Sequence, residues 1–165
     1  MRRSLLITAL SLSLVACGGG GASVDELHTS GLDKLSAGDF EGAVTALEQA
    51  AAATDDAAVK LDIQKDLASA RVHTDAPTAA EDFMYMAGEN PAEFTANDFV
   101  NFGRELHEAD AVSEAITVVD SGLKRFGETE SPNLNALMGE LVKASQASGD
   151  AASLEKLKSL GYVGD

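Results

Sequence analysis

The stretch from residue 31 to residue 50 constrains the fold of this chain most strongly. It reads GLDKLSAGDFEGAVTALEQA, with apolar residues at helical spacing on both sides of Gly38 and Asp39. Glycine commonly ends a helix, and aspartate commonly caps the start of the next one. Two short amphipathic helices joined this tightly pack antiparallel. The stretch therefore predicts a helical hairpin, whose first helix begins at Ser23 because Ser23 and Glu26 have capping-box spacing.

The pattern of two short amphipathic helices recurs three more times along the chain. In the second hairpin the first helix follows Asp56, and its predicted apolar stripe is Val59, Ile63, Leu67 and Ala70. In the third hairpin, Thr95 is predicted to cap the first helix and Asp110 the second. The fourth hairpin turns at Gly149 and Asp150. Because strand-like alternation is nearly missing from the chain, these patterns predict an all-α fold.

Small residues place the hairpins in a common register. In three hairpins a small residue of the first helix and an alanine of the second are twelve residues apart, and the fourth keeps this spacing with larger residues. The pairs are Gly31 and Ala43, Ala68 and Ala80, Gly103 and Ala115, and Val142 and Leu154. The first members of successive pairs are 37, 35 and 39 residues apart. Small side chains let helices approach closely, so the paired helices are expected to cross at these positions.

This register resembles the tetratricopeptide repeat (TPR) family, whose repeat is about 34 residues long. The best-matching residues are Gly31, Gly38, Asp39, Phe40, Ala43, Leu47 and Ala50 in the first unit, and Phe99, Phe102, Gly103, Leu106, Asp110 and Ala115 in the third. The family's tryptophan is missing from every unit, and its closing proline is present only as Pro91. The resemblance implies that residues 23–165 form an α-solenoid of about four antiparallel hairpins. The alternative is a generic antiparallel helical bundle.

The N-terminal segment predicts export and lipid attachment. Residues 1–16 combine Arg2 and Arg3 with a short apolar run, which is typical of a cleaved signal peptide. The sequence LVAC, ending at Cys17, resembles the bacterial lipobox and implies that this cysteine is acylated. It is the only cysteine, so no intramolecular disulfide is expected. Residues 17–22 are then the lipidated cysteine and a glycine-rich, flexible tether.

The predicted location is the cell envelope. Gly18 beside Cys17 resembles the pattern for outer-membrane lipoproteins of diderm bacteria, on the periplasmic or the surface face. Loss of Arg2 and Arg3 with the signal peptide takes the formal net charge from −15 to −17. A strongly acidic chain without basic patches disfavours nucleic acid as a partner. It also leaves acyl chains, rather than contacts with anionic lipid, to hold the protein at the membrane.

The sequence does not predict a catalytic or metal site. His28, His73 and His107 lack the spacing of a metal-ligand set. The chain also lacks a glycine-rich phosphate loop, a serine nucleophile elbow and an HExxH motif. We therefore expect no enzymatic activity, no cofactor and no small-molecule substrate.

In TPR proteins the first helices of successive units line a concave groove. Projecting this chain onto the family predicts the ligand-facing residues His28, Leu32, Leu35, Lys65, Ser69, Val72, Val100, Arg104 and His107. Lys65 and Arg104 are the candidates for anchoring a carboxylate of a partner, although solvated helix faces commonly carry such charges. The predicted function is a membrane-anchored scaffold that binds a protein or peptide in the envelope. The alternatives are an assembly factor or pilotin for a secretion or pilus machine, and an accessory subunit of an envelope enzyme complex.

Overall fold

The computed structural model describes residues 22–129 and 131–164, which form an all-α fold with no strand. The helices are α1 (Val24–Ser36), α2 (Phe40–Ala52), α3 (Ala57–Val72), α4 (Ala76–Glu89), α5 (Ala96–Glu108), α6 (Val112–Phe126), α7 (Pro132–Ser148) and α8 (Ala151–Leu160). A turn of 3-10 helix, Pro91–Glu93, precedes α5. The predicted all-α class is confirmed. The signal peptide, Cys17 and the tether up to residue 21 lie outside the described residues.

Local capping chemistry sets most of the helix boundaries where the sequence predicts them. The backbone N–H of Ser23 donates to a Glu26 carboxylate oxygen at 2.8 Å, which completes the capping box of α1. Gly38 has a φ of 77°, a left-handed conformation that favours glycine, and the Asp39 carboxylate then caps α2. At the last turn, Gly149 is also left-handed and ends α7.

The predicted role of Asp110 as the cap of α6 is wrong. Asp110 has a φ of 61°, and the helix begins after Ala111, which offers no side-chain oxygen. Asp110 is seven residues beyond Gly103, as Gly38 is seven beyond Gly31, so it occupies the left-handed turn position of Gly38. Aspartate tolerates that conformation better than most residues with a side chain. The expected aspartate cap is therefore replaced by alanine in the third hairpin.

The helices form two layers. The first helices of the hairpins, α1, α3, α5 and α7, lie side by side, and each contacts the next. In the other layer α6 packs between α4 and α8. Each hairpin also packs internally, and α3 contacts both α2 and α4. This arrangement is compatible with the helical repeats that the sequence predicts.

Close helix crossings occur at equivalent positions of two hairpins. A Cβ atom added to Gly31 would lie 2.5 Å from Cγ of Leu47, and one added to Gly103 would lie 2.6 Å from a methyl carbon of Val119. Both contacts join residues sixteen positions apart in the sequence. At these two positions the paired helices are too close for any side chain, which explains why the register has glycine there.

The apolar stripe predicted for α3 is correct except at its first residue. Ile63, Leu67 and Ala70 are buried in a cluster with α2, whereas Val59 is 38% exposed. The reason is that α3 buries two faces rather than one. Its other buried residues, Leu61, Ala68 and Val72, belong to a second cluster with residues of α4 and α5. A helix covered on two sides does not follow a single stripe.

Side chains with long reach join successive hairpins. Arg71 of α3 forms an ion pair with Glu48 of α2 at 2.6 Å and another with Asp82 of α4. Arg125 of α6 donates hydrogen bonds to the carbonyl oxygens of Ala87, at 3.0 Å, and of Pro91. These contacts connect the second hairpin to the hairpins on either side of it.

The C-terminal tail packs against the helical core. Gly161 ends α8 in a left-handed conformation, and Tyr162 and Val163 pack against the larger core cluster. The Tyr162 hydroxyl donates to the buried carboxylate of Asp120 at 3.1 Å. Burial and this carboxylate raise the pKa of Tyr162 to about 12, so the hydroxyl keeps its proton at neutral pH. None of the described helices is long and apolar enough to cross a membrane.

Candidate binding groove on the first helices

Seven of the nine predicted groove residues lie on the layer of first helices with exposed or half-buried side chains. Leu32 and Arg104 are exposed, and Lys65 and Ser69 are half-buried and line a pocket between α3 and α5. This part of the layer therefore offers a surface of mixed polarity.

The placement of Val72 and Val100 on the groove is wrong. They are only 3% and 5% exposed and belong to the core cluster that α3 and α5 share with α4. The same cluster contains Phe83 of α4. Leu35 is half-buried and packs against the smaller core cluster.

The two predicted groove histidines lie in different environments. His28 of α1 is paired with Asp66 of α3, with 2.6 Å between the ring nitrogen Nε2 and the carboxylate. His107 is half-buried, and its Nδ1 atom is buried without a hydrogen-bond partner. His73 instead stacks on Phe40, with 3.8 Å between the ring centroids. Among residues 22–129 and 131–164, no group of three metal-ligating side chains comes together.

The α3–α5 pocket brings polar and aromatic side chains together on this layer. It has a volume of about 130 Å³. Its polar lining consists of Lys65, Ser69, Asp98, Asn101 and Glu105, and its apolar lining of Phe83, Phe94 and Phe102. Pockets for drug-sized ligands are usually larger than about 300 Å³. The α3–α5 pocket is therefore suited to one side chain of a partner rather than to a whole small molecule.

Aromatic rings give the α3–α5 pocket a rigid floor. Phe83 of α4 stacks on Phe102 of α5, with 4.3 Å between the ring centroids. Phe94, which lies between the 3-10 turn and α5, meets Phe83 edge to face at 5.3 Å. All three rings are at most 4% exposed as whole residues. Their packing positions the polar groups around them.

Two charged groups at the α3–α5 pocket already have partners within the protein. The Lys65 ammonium donates to the carbonyl oxygen of Glu93 at 3.1 Å and lies 4.6 Å from the centroid of the Phe94 ring. One carboxylate oxygen of Asp98 accepts the backbone N–H of Thr95 at 2.6 Å and its hydroxyl at 2.7 Å. Both groups contribute to the structure of the turn that leads into α5.

Glu105 is the exception among the pocket's carboxylates. Its Oε2 atom is buried and has no hydrogen-bond partner among the described residues. Burial is the main reason that the pKa of Glu105 is raised, and the neighbouring carboxylates of Glu108 and Asp66 raise it further. The Ser69 hydroxyl and His73 act in the opposite direction. Because Glu105 lines the pocket, its carboxylate is the group there that would gain most from a hydrogen-bond donor entering the pocket.

Sequence reasoning missed Phe94, Asn101 and Glu105 as pocket residues. Phe94 lies outside both helices of its region, so no helical stripe includes it. Asn101 and Glu105 are each one residue away from a predicted groove position in α5, Val100 and Arg104 respectively. The only signal available was that Glu105 is an acidic residue two positions beyond the register glycine Gly103 of α5.

A second opening lies on the other layer, between α4, α6 and α8. It has a volume of about 370 Å³, and its lining includes Met84, Thr117 and Lys156. None of its lining residues has a buried polar side-chain atom without a partner. This opening therefore lacks the buried polar atom without a partner that distinguishes the α3–α5 pocket.

Comparisons with known proteins do not assign the chain to a family. No protein-family model matches it, and neither the curated proteins nor the solved structures include a significant match. The function is therefore inferred from the residues and their geometry alone.

Proposed function

We propose that this protein is a lipid-anchored scaffold of the bacterial cell envelope that binds a protein or peptide through the layer formed by its first helices. The α3–α5 pocket supports the proposal most directly, because it combines a rigid aromatic floor with a buried carboxylate oxygen that lacks a partner. The finer architecture that we propose is a TPR-like α-solenoid. The equivalent close crossings at Gly31 and Gly103 support it.

The proposed anchor rests on the sequence around Cys17. Acyl chains on this cysteine would hold the chain at a membrane, and the glycines that follow would give the helical domain reach. The acidic composition is consistent with a surface that depends on the acyl chains for membrane attachment.

Cys17→Ser is expected to abolish lipid attachment. Because Cys17 is the only cysteine, incorporation of radiolabelled palmitate into the wild-type protein should be lost completely in this variant. The protein should also move from the membrane fraction to the soluble fraction. Gly20→Ala, in the tether, is the matched control and should keep both the label and the membrane location. Labelled Cys17→Ser protein, or wild-type protein without label, would contradict the anchor.

Site-specific photocrosslinking tests the interaction surface. A photoreactive amino acid replaces Asn101, at the exposed rim of the α3–α5 pocket, in the full-length protein within native membranes. We expect a discrete light-dependent adduct with a second protein. The control replaces Glu155, which is exposed on α8, and should not give that adduct. No adduct from position 101, or the same adduct from both positions, would refute binding through the first-helix layer.

A further inference from the structure

The partner's chemistry can be inferred from the charges at the α3–α5 pocket. The sequence suggested that Lys65 and Arg104 anchor a carboxylate, but the Lys65 ammonium is already bound to the Glu93 carbonyl oxygen and lies over the Phe94 ring. Arg104 is not among the residues that line the pocket. An incoming carboxylate would meet an ammonium that already donates one hydrogen bond within the protein, and it would also meet the charge of Glu105.

None of the described residues donates a hydrogen bond to Oε2 of Glu105. A buried oxygen without a hydrogen bond destabilises a fold, and native structures contain few of them. The other carboxylate of the pocket, Asp98, is engaged by Thr95. The carboxylate of Asp66, nearby on α3, is engaged by His28. Of these three carboxylates, Glu105 alone has a buried oxygen without a hydrogen-bond partner among the described residues.

The aromatic walls of the pocket suit both the methylene groups and the charged end of a cationic side chain. Phe83, Phe94 and Phe102 line it, and aromatic faces attract guanidinium and ammonium groups. A planar guanidinium can stack on such a ring while its N–H groups donate to a carboxylate, which gives a charge-assisted hydrogen bond. The volume of about 130 Å³ matches one head group.

We infer that the α3–α5 pocket binds an arginine side chain of a peptide or protein partner, with the guanidinium donating to the carboxylate of Glu105 against the aromatic floor. Asn101, at the rim, is placed to contact the adjacent peptide backbone. The net charge of the chain favours the approach of a basic segment. This inference rests on the proposed scaffold function and specifies the chemistry of its ligand.

A peptide titration tests the inference. The purified full-length lipoprotein in detergent micelles is titrated with acetyl-Ala-Ala-Arg-Ala-Ala-amide and with the same peptide carrying citrulline or glutamate in place of arginine. NMR shifts of the Phe94 and Asn101 amides report on the pocket. We expect the arginine peptide to bind at least tenfold more tightly than the citrulline peptide, which has nearly the same shape but no charge. We expect the glutamate peptide to cause no saturable shift.

Variants then assign the binding to one carboxylate. Glu105→Gln should weaken binding of the arginine peptide about tenfold and leave the citrulline peptide unaffected. Glu140→Gln makes the same change in charge at an exposed position of α7, outside the pocket, and should retain the affinity within about twofold. This pair separates a direct contact from the general effect of the acidic surface.

Measuring the stability of Glu105→Gln distinguishes a loss of binding from a loss of folding. Burial raises the pKa of Glu105, so the ionised carboxylate opposes folding at neutral pH. Glutamine removes this cost, and the Tm of Glu105→Gln should exceed that of the wild type at pH 7. The gain should disappear below about pH 4, where glutamate is protonated in the unfolded chain as well.

Four results would overturn the inference. They are equal binding of the citrulline peptide, tighter binding of the glutamate peptide, unchanged affinity in Glu105→Gln, and no saturable shift with any peptide. Crosslinking at position 101 to a segment without a basic residue would also overturn it and leave the proposed scaffold function standing. Peptide binding without any crosslinked partner in native membranes would instead contradict the scaffold function and leave the pocket's chemistry intact.

Discussion

Phe83→Ala is expected to lower the free energy of unfolding by about 3–5 kcal/mol, the usual cost of truncating a buried phenylalanine. Phe83 is 4% exposed and contacts three other rings, those of Phe94, Phe99 and Phe102, with centroid distances of 4.3–5.3 Å. Truncation would leave a cavity at the junction of the second and third hairpins. Many domains are stable by only about 5–15 kcal/mol, so the loss should be evident in urea denaturation followed by circular dichroism.

Tyr85→Ala is the matched control for Phe83→Ala. Tyr85 lies two residues further along α4 and is 69% exposed, so its truncation should change the free energy of unfolding by no more than about 0.5 kcal/mol. Equal losses in the two variants would contradict the central role assigned to Phe83. A loss below about 1 kcal/mol in Phe83→Ala would contradict it as well.

Helix boundaries were predictable from the sequence because they depend on local chemistry. Ser23 with Glu26, Gly38 with Asp39, and Gly149 each act through neighbouring backbone groups, and these interactions are independent of the rest of the fold. The same approach failed at Asp110 because aspartate serves both as a helix cap and as a left-handed turn residue. Sequence spacing alone did not distinguish these two uses.

The candidate site was less predictable because it depends on contacts between hairpins. Val72 and Val100 are equivalent to Leu35 and His28, which are half-buried in the first hairpin, but the two valines are buried in the larger core cluster. Phe94 follows a 3-10 turn and reaches the pocket through tertiary packing. The unused oxygen of Glu105 is likewise a property of its neighbours and has no sequence signature.

The repeat register accounts for the positions of two glycines but says nothing about binding. Gly31 and Gly103 allow Leu47 and Val119 to cross close to the helix backbone, so these residues are occupied in holding each hairpin together. The residues proposed to bind a partner lie on the adjacent faces of α3 and α5. Within α5, Gly103 is two residues from both Asn101 and Glu105, so the helix crossing and these two pocket residues lie on different sides of the helix.

Gly103→Ala should separate the two roles, since it affects packing alone. The new Cβ atom would lie 2.6 Å from Cγ2 of Val119 and 3.3 Å from a methyl carbon of Leu137, and a β-branched side chain has little freedom to move aside. We expect a loss of about 1–3 kcal/mol in the free energy of unfolding, as for other overpacked cores.

Gly139→Ala makes the same substitution within α7, at an exposed site with no atom near the added Cβ. It should stabilise the protein by about 0.5–1 kcal/mol, because alanine favours the helix over glycine. Urea denaturation of both variants measures the contrast, and equal changes in the two would show that the first helix of the third hairpin does not cross its partner at Gly103.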